Sequence, residues 1–121
     1  MQYALNGFDV HLVDLRGFGM TGGTRMAGWK ISDLHYDVTA MLKEVKPHLP
    51  LFIYGHSMGG LTVTSYLVNN PNLNITGVVL SAPLLGFNEG INFDSTKQMI
   101  VKLLAPHAEV ILVNFNEYRN S

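Results

Sequence analysis

The sequence lacks cysteine altogether and is poor in charged residues. Without cysteine the chain has no disulfides, no thiolate chemistry and no cysteine-ligated zinc. This composition fits a reducing compartment, so we expect a cytoplasmic location, with peripheral membrane association left open. Charged residues make up 14% of the 121 residues, and a net charge of −1 gives no electrostatic basis for binding nucleic acid. The longest apolar runs, at 51–54 and 110–113, are far too short to cross a bilayer.

The order of secondary-structure elements follows from an alternation of apolar and amphipathic segments. Strands are predicted at 8–14, 49–56 and 75–83, and helices at 32–46 and 58–70. The predicted strands show no in-out alternation, which is typical of a parallel sheet covered by helices on both faces. Ser32 is the predicted N-cap of the first helix, and Pro47 predicts its end. After Pro83, residues 95–105 have helical character and 108–115 have strand character, but the pattern indicates no place on the sheet for this tail.

One short segment, GHSMG at 55–59, predicts a catalytic nucleophile. It fits G-x-S-x-G, with a predicted strand before it and a predicted helix after it, as a nucleophile elbow requires. Ser57 would sit on a strained turn that projects its hydroxyl above the sheet edge. The backbone N–H of Met58, at the start of the helix, would stabilise an oxyanion. Side chains at the flanking positions would collide where the strand and the helix approach each other, which explains the glycines. The residues expected to support the turn are Gly55, His56, Gly59 and Gly60.

Together with this elbow, two further segments carry a family resemblance. Residues 14–23, 55–60 and 80–85 resemble the α/β-hydrolase fold, and in particular its monoglyceride lipase and lysophospholipase-like branch, the serine aminopeptidase S33 type. The resemblance implies hydrolysis of carboxylic esters, typically monoacylglycerols or lysophospholipids, through an acyl-enzyme on Ser57. It implies no metal or cofactor, because triad chemistry needs none. It also implies a hydrolase core over 1–83 and the start of a lid over 84–121.

The residues that would complete a catalytic triad have no convincing candidate in this sequence. In this fold the chain order is serine, then an acid, then histidine. Asp94 and His107 follow Ser57 in that order, but a helix at 95–105 would hold its ends about 16 Å apart. Acid and base need contact at about 3 Å. His56 adjoins Ser57, and neighbouring side chains on a turn diverge, so it is not expected to be the base.

The resemblance also indicates that parts of the sheet lie outside this sequence. In the family, the second oxyanion donor comes from a loop ahead of the strand at 8–14, and another strand separates that strand from the one at 51–56. Without that intervening strand, the strands at 8–14 and 51–56 would both carry unpaired backbone groups, and each such group costs about 1 kcal/mol or more. We therefore expect an α/β fold with an incomplete sheet, the central part of a larger serine hydrolase. The missing strands would come from the rest of the protein or another chain, and these 121 residues alone are expected to be inactive.

Two alternatives to a hydrolase stay open from the sequence. One is a catalytically inactive, hydrolase-derived structural or interaction module, in which the elbow glycines serve packing alone. The other is a nucleotide site, because residues 17–22 spell G-x-G-x-x-G after a predicted strand. A dinucleotide fingerprint must lead straight into a helix, whereas the next helix is predicted only near Ser32. We therefore interpret these glycines as a loop, in which Asp14 is expected to stabilise a turn.

Overall fold

The computed structural model describes residues 2–23, 30–84 and 109–113. In chain order, the elements within these ranges are α1 (Gln2–Leu5), α2 (Ile31–Leu42), β1 (Phe52–His56), α3 (Met58–Asn69), β2 (Gly77–Ser81) and β3 (Glu109–Val113). The chain divides into two compact units, Met1–Pro47 and His48–Ser121, and each is described by itself. None of the helices in the described ranges is long and apolar enough to cross a membrane.

The second unit is built on a parallel sheet in the order β1-β2-β3. Phe52 lies opposite Gly77 at one end of the β1–β2 pair, and His56 lies opposite Ser81 at the other. Because the two strands are in phase, their carboxyl ends finish at the same level of the sheet. Helix α3, which connects them, packs on β1. This strand-helix-strand arrangement confirms the predicted α/β class with parallel strands alternating with helices.

The tail, which has no predicted place on the sheet, contributes a strand to it. Glu109–Val113 pairs in parallel with β2, so that Ser81 lies opposite Val113. β2 is therefore the central strand of the described sheet, with backbone partners on both sides. The predicted helix at 95–105 lies outside the described residues, and the lid that the resemblance implies for 84–121 stays a prediction.

Burial on the first strand alternates, unlike its continuously apolar sequence. Ile53 and Gly55 are buried, whereas Phe52 and Tyr54 are 55% and 62% exposed. The buried face is the one on which α3 packs, since Gly55 lies against the backbone of that helix. The apolar core of this unit is completed by residues of α3, β2 and the segment between them: Val63, Tyr66, Leu67, Ile75, Val78 and Leu80.

The first unit contains the predicted helix as α2, but that helix ends at Leu42, ahead of the predicted end at Pro47, and two further predictions fail. Residues 8–14 form no strand, and Leu12 is 90% exposed. A strand needs a hydrogen-bonded neighbour, and no described residue supplies one to this segment. The predicted N-cap Ser32 is also wrong, because α2 begins at Ile31 after Lys30. There the Asp33 carboxylate accepts a hydrogen bond from the Lys30 N–H at 2.7 Å, which satisfies a backbone donor ahead of the first turn.

An ion pair joins the glycine-rich loop of this unit to α2. The Arg16 guanidinium donates from Nη2 to Asp37 Oδ1 at 2.8 Å, and the Arg16 backbone N–H donates to Oδ2 at 2.9 Å. Burial raises the pKa of the Asp37 carboxyl, whereas the hydrogen bonds and the positive charge of Arg16 lower it. The lowering effects together outweigh burial, so the pKa lies below its ordinary value. The carboxylate is thus held ionised by both the side chain and the backbone of one residue.

Replacing Asp37 by Asn should therefore destabilise the chain in a pH-dependent way. An unfolded aspartate has a pKa of about 4, and above this pH the lowered pKa of folded Asp37 contributes to stability. The contribution is lost as the pH falls through the pKa that Asp37 has in the folded protein. We expect Asp37→Asn to lower Tm by a few degrees at pH 7, and we expect the difference to close below pH 4. Thermal unfolding followed by circular dichroism measures this, with Glu44→Gln as a control. A difference independent of pH would contradict the ionic origin.

Candidate active site

Ser57 occupies a strained turn between β1 and α3. Its backbone has φ 53° and ψ −116°, a region that residues with a side chain rarely adopt. The Ser57 N–H donates to the Ser81 carbonyl at 3.0 Å. The Ser57 carbonyl accepts from the N–H groups of Leu84 at 3.0 Å and Leu61 at 3.2 Å. The turn is thus fixed on both sides of the strained residue, as a backbone in this region requires.

Two glycines allow the strand and helix to meet at this turn. A Cβ on Gly55 would lie 2.7 Å from the Gly59 carbonyl oxygen, and one on Gly60 would lie 2.7 Å from the Pro83 Cβ. Both distances are shorter than packed atoms tolerate, so a side chain at Gly55 would push α3 away from β1, and one at Gly60 would push it away from Pro83. The collision expected at Gly59 is not found, because a Cβ there meets no atom within 4 Å. At this position it is the backbone of Gly59, and not its missing side chain, that lies against Gly55.

The hydroxyl of Ser57 stands at the amino end of a twelve-residue helix. Ser57 is the N-cap of α3, but its side chain makes no capping hydrogen bond. The first N–H groups of a helix lack partners within it, and the helix dipole adds partial positive charge there. The helix begins at Met58, the residue whose N–H is the predicted oxyanion donor. This arrangement is chemically suited to a nucleophile that generates negative charge beside it.

His56, the residue before Ser57, makes a side-chain contact with the second strand. Its Nδ1 lies 3.2 Å from Ser81 Oγ, and the tautomer of the ring decides which atom donates. The contact follows from the register, since residues directly opposite in parallel strands project to the same face. One ring nitrogen of His56 therefore faces Ser81.

The glycine-rich loop of the first unit is closed by its own hydrogen bonds. The Met20 N–H donates to the Asp14 carboxylate at 3.1 Å, and the Gly17 N–H donates to the Gly22 carbonyl at 3.1 Å. Asp14 thus has the turn-stabilising role expected of it. These N–H groups are engaged within the loop, and α2 starts only at Ile31. Among the described residues 14–23, these N–H groups are therefore not free to hold a dinucleotide pyrophosphate, and α2 does not begin directly after the glycines.

Ser81 and Leu84 hold the elbow although the sequence motif assigns them no role. The signal that could have identified them is topological, because in-phase parallel strands bring the residues after β1 and β2 to the same sheet edge. Between them, Ala82 has φ 41°, so a second strained residue follows β2. Asp94 and His107 lie outside the described residues, and the rejection of that pair stays a prediction. Within the described ranges no group of three His, Asp or Glu residues could hold a metal ion.

Comparison with known proteins identifies similar enzymes. A family model described as serine aminopeptidase, S33, matches residues 2–120. The chain is 34% identical over 109 residues to the monoglyceride lipase of Saccharomyces cerevisiae, covering 84% of this chain and 35% of that protein. It is 38% identical over 90 residues to phospholipase YtpA of Bacillus subtilis, covering 72% and 34%. It is 34% identical over 90 residues to the caffeoylshikimate esterase of Arabidopsis thaliana, covering 69% and 27%. The chain thus spans about a third of the length of these relatives. No solved structure matches it.

The two neighbouring glycines of α3 should respond oppositely to the same substitution. Gly60→Ala places a Cβ against Pro83 and should lower the free energy of unfolding by about 1–3 kcal/mol, the cost of overpacking. Gly59→Ala meets open space and should change that free energy by less than about 1 kcal/mol, in the stabilising direction of helix propensity. Urea denaturation followed by circular dichroism compares the two variants. Equal losses in both would show that the close approach of α3 to Pro83 does not limit stability.

Proposed function

Because the chain belongs to the serine aminopeptidase S33 family of α/β-hydrolases, we propose that Ser57 is the nucleophile of a serine ester hydrolase. The triad acid, the triad histidine and the second oxyanion donor would come from residues outside this sequence. The proposal is supported by the relatives, which are named as lipases and esterases and of which this chain spans about a third. Its assignment to Ser57 is supported by the geometry of the turn.

A single observation carries the assignment: a serine occupies a backbone conformation that suits glycine. A non-glycine residue at φ 53° costs about 1–3 kcal/mol, so packing alone would favour glycine at this position. The needs of packing explain Gly55 and Gly60, where no side chain fits. They do not explain a hydroxyl at Ser57 that stands at a helix amino end without capping it. The strain is consistent with a chemical use of this hydroxyl, and it argues against the purely structural alternative.

The proposed reaction proceeds in two halves through an acyl-enzyme. Ser57 Oγ attacks the ester carbonyl carbon while its proton passes to the histidine base, and the carbonyl π electrons move onto the oxygen. That oxyanion accepts a hydrogen bond from the Met58 N–H at the start of α3. Collapse of the tetrahedral adduct breaks the ester C–O bond, and the leaving alcohol takes the proton from the histidine. Water then repeats the sequence and releases the carboxylic acid and the free serine.

The proposed substrates are lipid esters of the monoacylglycerol or lysophospholipid type. Two of the relatives carry names that point to such substrates, a monoglyceride lipase and a phospholipase. The third, a caffeoylshikimate esterase, carries the name of a non-lipid ester. What the three names share is hydrolysis of a carboxylic ester, which is also what an elbow serine with a helix amino end is suited to perform.

The decisive experiment is fluorophosphonate labelling of the protein expressed from its own gene. We expect a labelled band that disappears in Ser57→Ala, because only an activated serine displaces fluoride from the probe at a useful rate. Ser65→Ala, which removes another serine from the same helix, should label normally. Absence of Ser57-dependent labelling at any molecular mass would contradict the proposal and leave the structural module as the better explanation.

The 121 residues purified alone should have almost no esterase activity. Loss of the base from a serine triad costs on the order of a million-fold in kcat, and half of the oxyanion hole would be absent as well. Hydrolysis of p-nitrophenyl butyrate, followed by absorbance, measures this directly. Turnover at rates normal for a serine hydrolase, abolished by Ser57→Ala, would show that the base lies within this sequence.

A further inference from the structure

The segment at 81–84, which is the last residue of β2 and the three residues after it, lies over the elbow from the neighbouring strand. Its first residue, Ser81, accepts the Ser57 N–H, and its last, Leu84, donates to the Ser57 carbonyl. Between them, Pro83 lies against Gly60 in the first turn of α3. We call residues 81–84 the β2 loop. The hydrogen bonds and the close approach described here join this loop to His56, Ser57 and Gly60.

The side chain of Ser81 makes one further link between the two strand ends. It is only 5% exposed, and its Oγ lies 3.2 Å from Nδ1 of His56. A buried hydroxyl without a partner is costly, so this hydrogen bond fixes where the end of β2 lies relative to the end of β1. The bond joins the residues that precede the two strained positions, since Ser57 follows His56 and Ala82 follows Ser81.

We propose that Ser81 is a positioning residue for Ser57, and that its hydrogen bond to His56 keeps the nucleophile in its strained, reactive conformation. This inference rests on the proposed function of Ser57. The backbone bonds of the β2 loop hold Ser57 only while the two strand ends stay aligned. The bond between the Ser81 and His56 side chains maintains this alignment at the last register position of the pair. Without it, the turn relaxes and the Ser57 hydroxyl loses its fixed direction.

A purely structural role for the same hydrogen bond predicts something different. The sheet is already paired over the whole of β1 and β2, and the bond adds one link at its end. If the bond only stabilised the fold, its loss would lower stability without changing the reactivity of the folded protein. If it positions Ser57, its loss slows the chemical step of the folded protein and leaves binding of the probe unchanged. Separating these two constants therefore distinguishes the roles.

The first test measures fluorophosphonate inactivation of the protein expressed from its own gene. We expect Ser81→Ala to lower the maximal rate of labelling about five- to tenfold, the factor of one neutral hydrogen bond, with the half-saturating probe concentration unchanged. Ser81→Thr keeps the hydroxyl and should restore the rate. The matched control is Thr64→Val, which removes a hydroxyl of similar burial that bonds the Gly60 carbonyl instead. Equal rates for Ser81→Ala and Thr64→Val would overturn the proposal.

The partner residue provides an independent variant. His56 is exposed, so His56→Ala removes the same hydrogen bond without opening a buried cavity, and it decides the question if Ser81→Ala fails to fold. The double variant should react no more slowly than His56→Ala alone, because His56→Ala has already removed the hydrogen bond to Ser81. Additive losses would mean that Ser81 and His56 act separately, which contradicts the proposed pair.

Amide hydrogen exchange separates this inference from the proposed function. The Ser57 N–H is bonded to the Ser81 carbonyl, so loss of the side-chain bond should speed exchange at Ser57 in Ser81→Ala and leave it unchanged in Thr64→Val. If the parent protein shows no labelling of Ser57, the proposed function fails. Amide exchange alone then decides whether the Ser81 side chain holds the Ser57 turn in place. Faster exchange would then support this positioning, and unchanged exchange would overturn it.

Discussion

The strained backbone of Ser57 is the constraint on which the rest of the second unit depends. A residue at φ 53° stays there only if its neighbours fix both its N–H and its carbonyl. Here Ser81 at the end of the adjacent strand bonds the N–H, and Leu84 after that strand and Leu61 in α3 bond the carbonyl. Ser81 and Leu84 are in reach because His56 and Ser81 occupy the same register position. The presentation of the serine is therefore a property of the strand pair and not of the motif alone.

The packing of α3 supplies the free energy that this strain requires. Each strained residue costs about 1–3 kcal/mol, and there are two of them, Ser57 and Ala82. Fully burying a valine or leucine side chain contributes about 1.5–3 kcal/mol, and α3 buries Val63 and Leu67 at 7% and 5% exposure. The contribution of these two side chains alone is comparable with the strain. It is available only because Gly55 lets the helix approach the strand closely.

Local features of the site could be predicted from the sequence, and features that depend on distant partners could not. The elbow, α3 and β2 follow from glycine spacing and apolar runs within about thirty residues, a range over which patterns are informative. The strand character of 108–115 is predicted correctly, but the place of β3 on the sheet is not, because that place depends on pairing with β2 from beyond Pro83. Residues 8–14 failed as a strand for the same reason, since an apolar run predicts burial but supplies no hydrogen-bonded neighbour. Gly59 was misjudged because a motif does not say toward which side of a helix a Cβ points.

Presenting a serine and activating it place different demands on the chain. Presentation needs one strand-helix-strand unit, and here Ser57 finds its backbone partners at Leu61, Ser81 and Leu84. Activation needs a histidine and an acid, which in serine hydrolases of this fold follow the nucleophile along the chain and meet it only in space. A segment spanning about a third of its relatives can therefore contain the complete elbow. Under the proposed function, the unit that builds the strained turn is separate in the sequence from the residues that would activate Ser57.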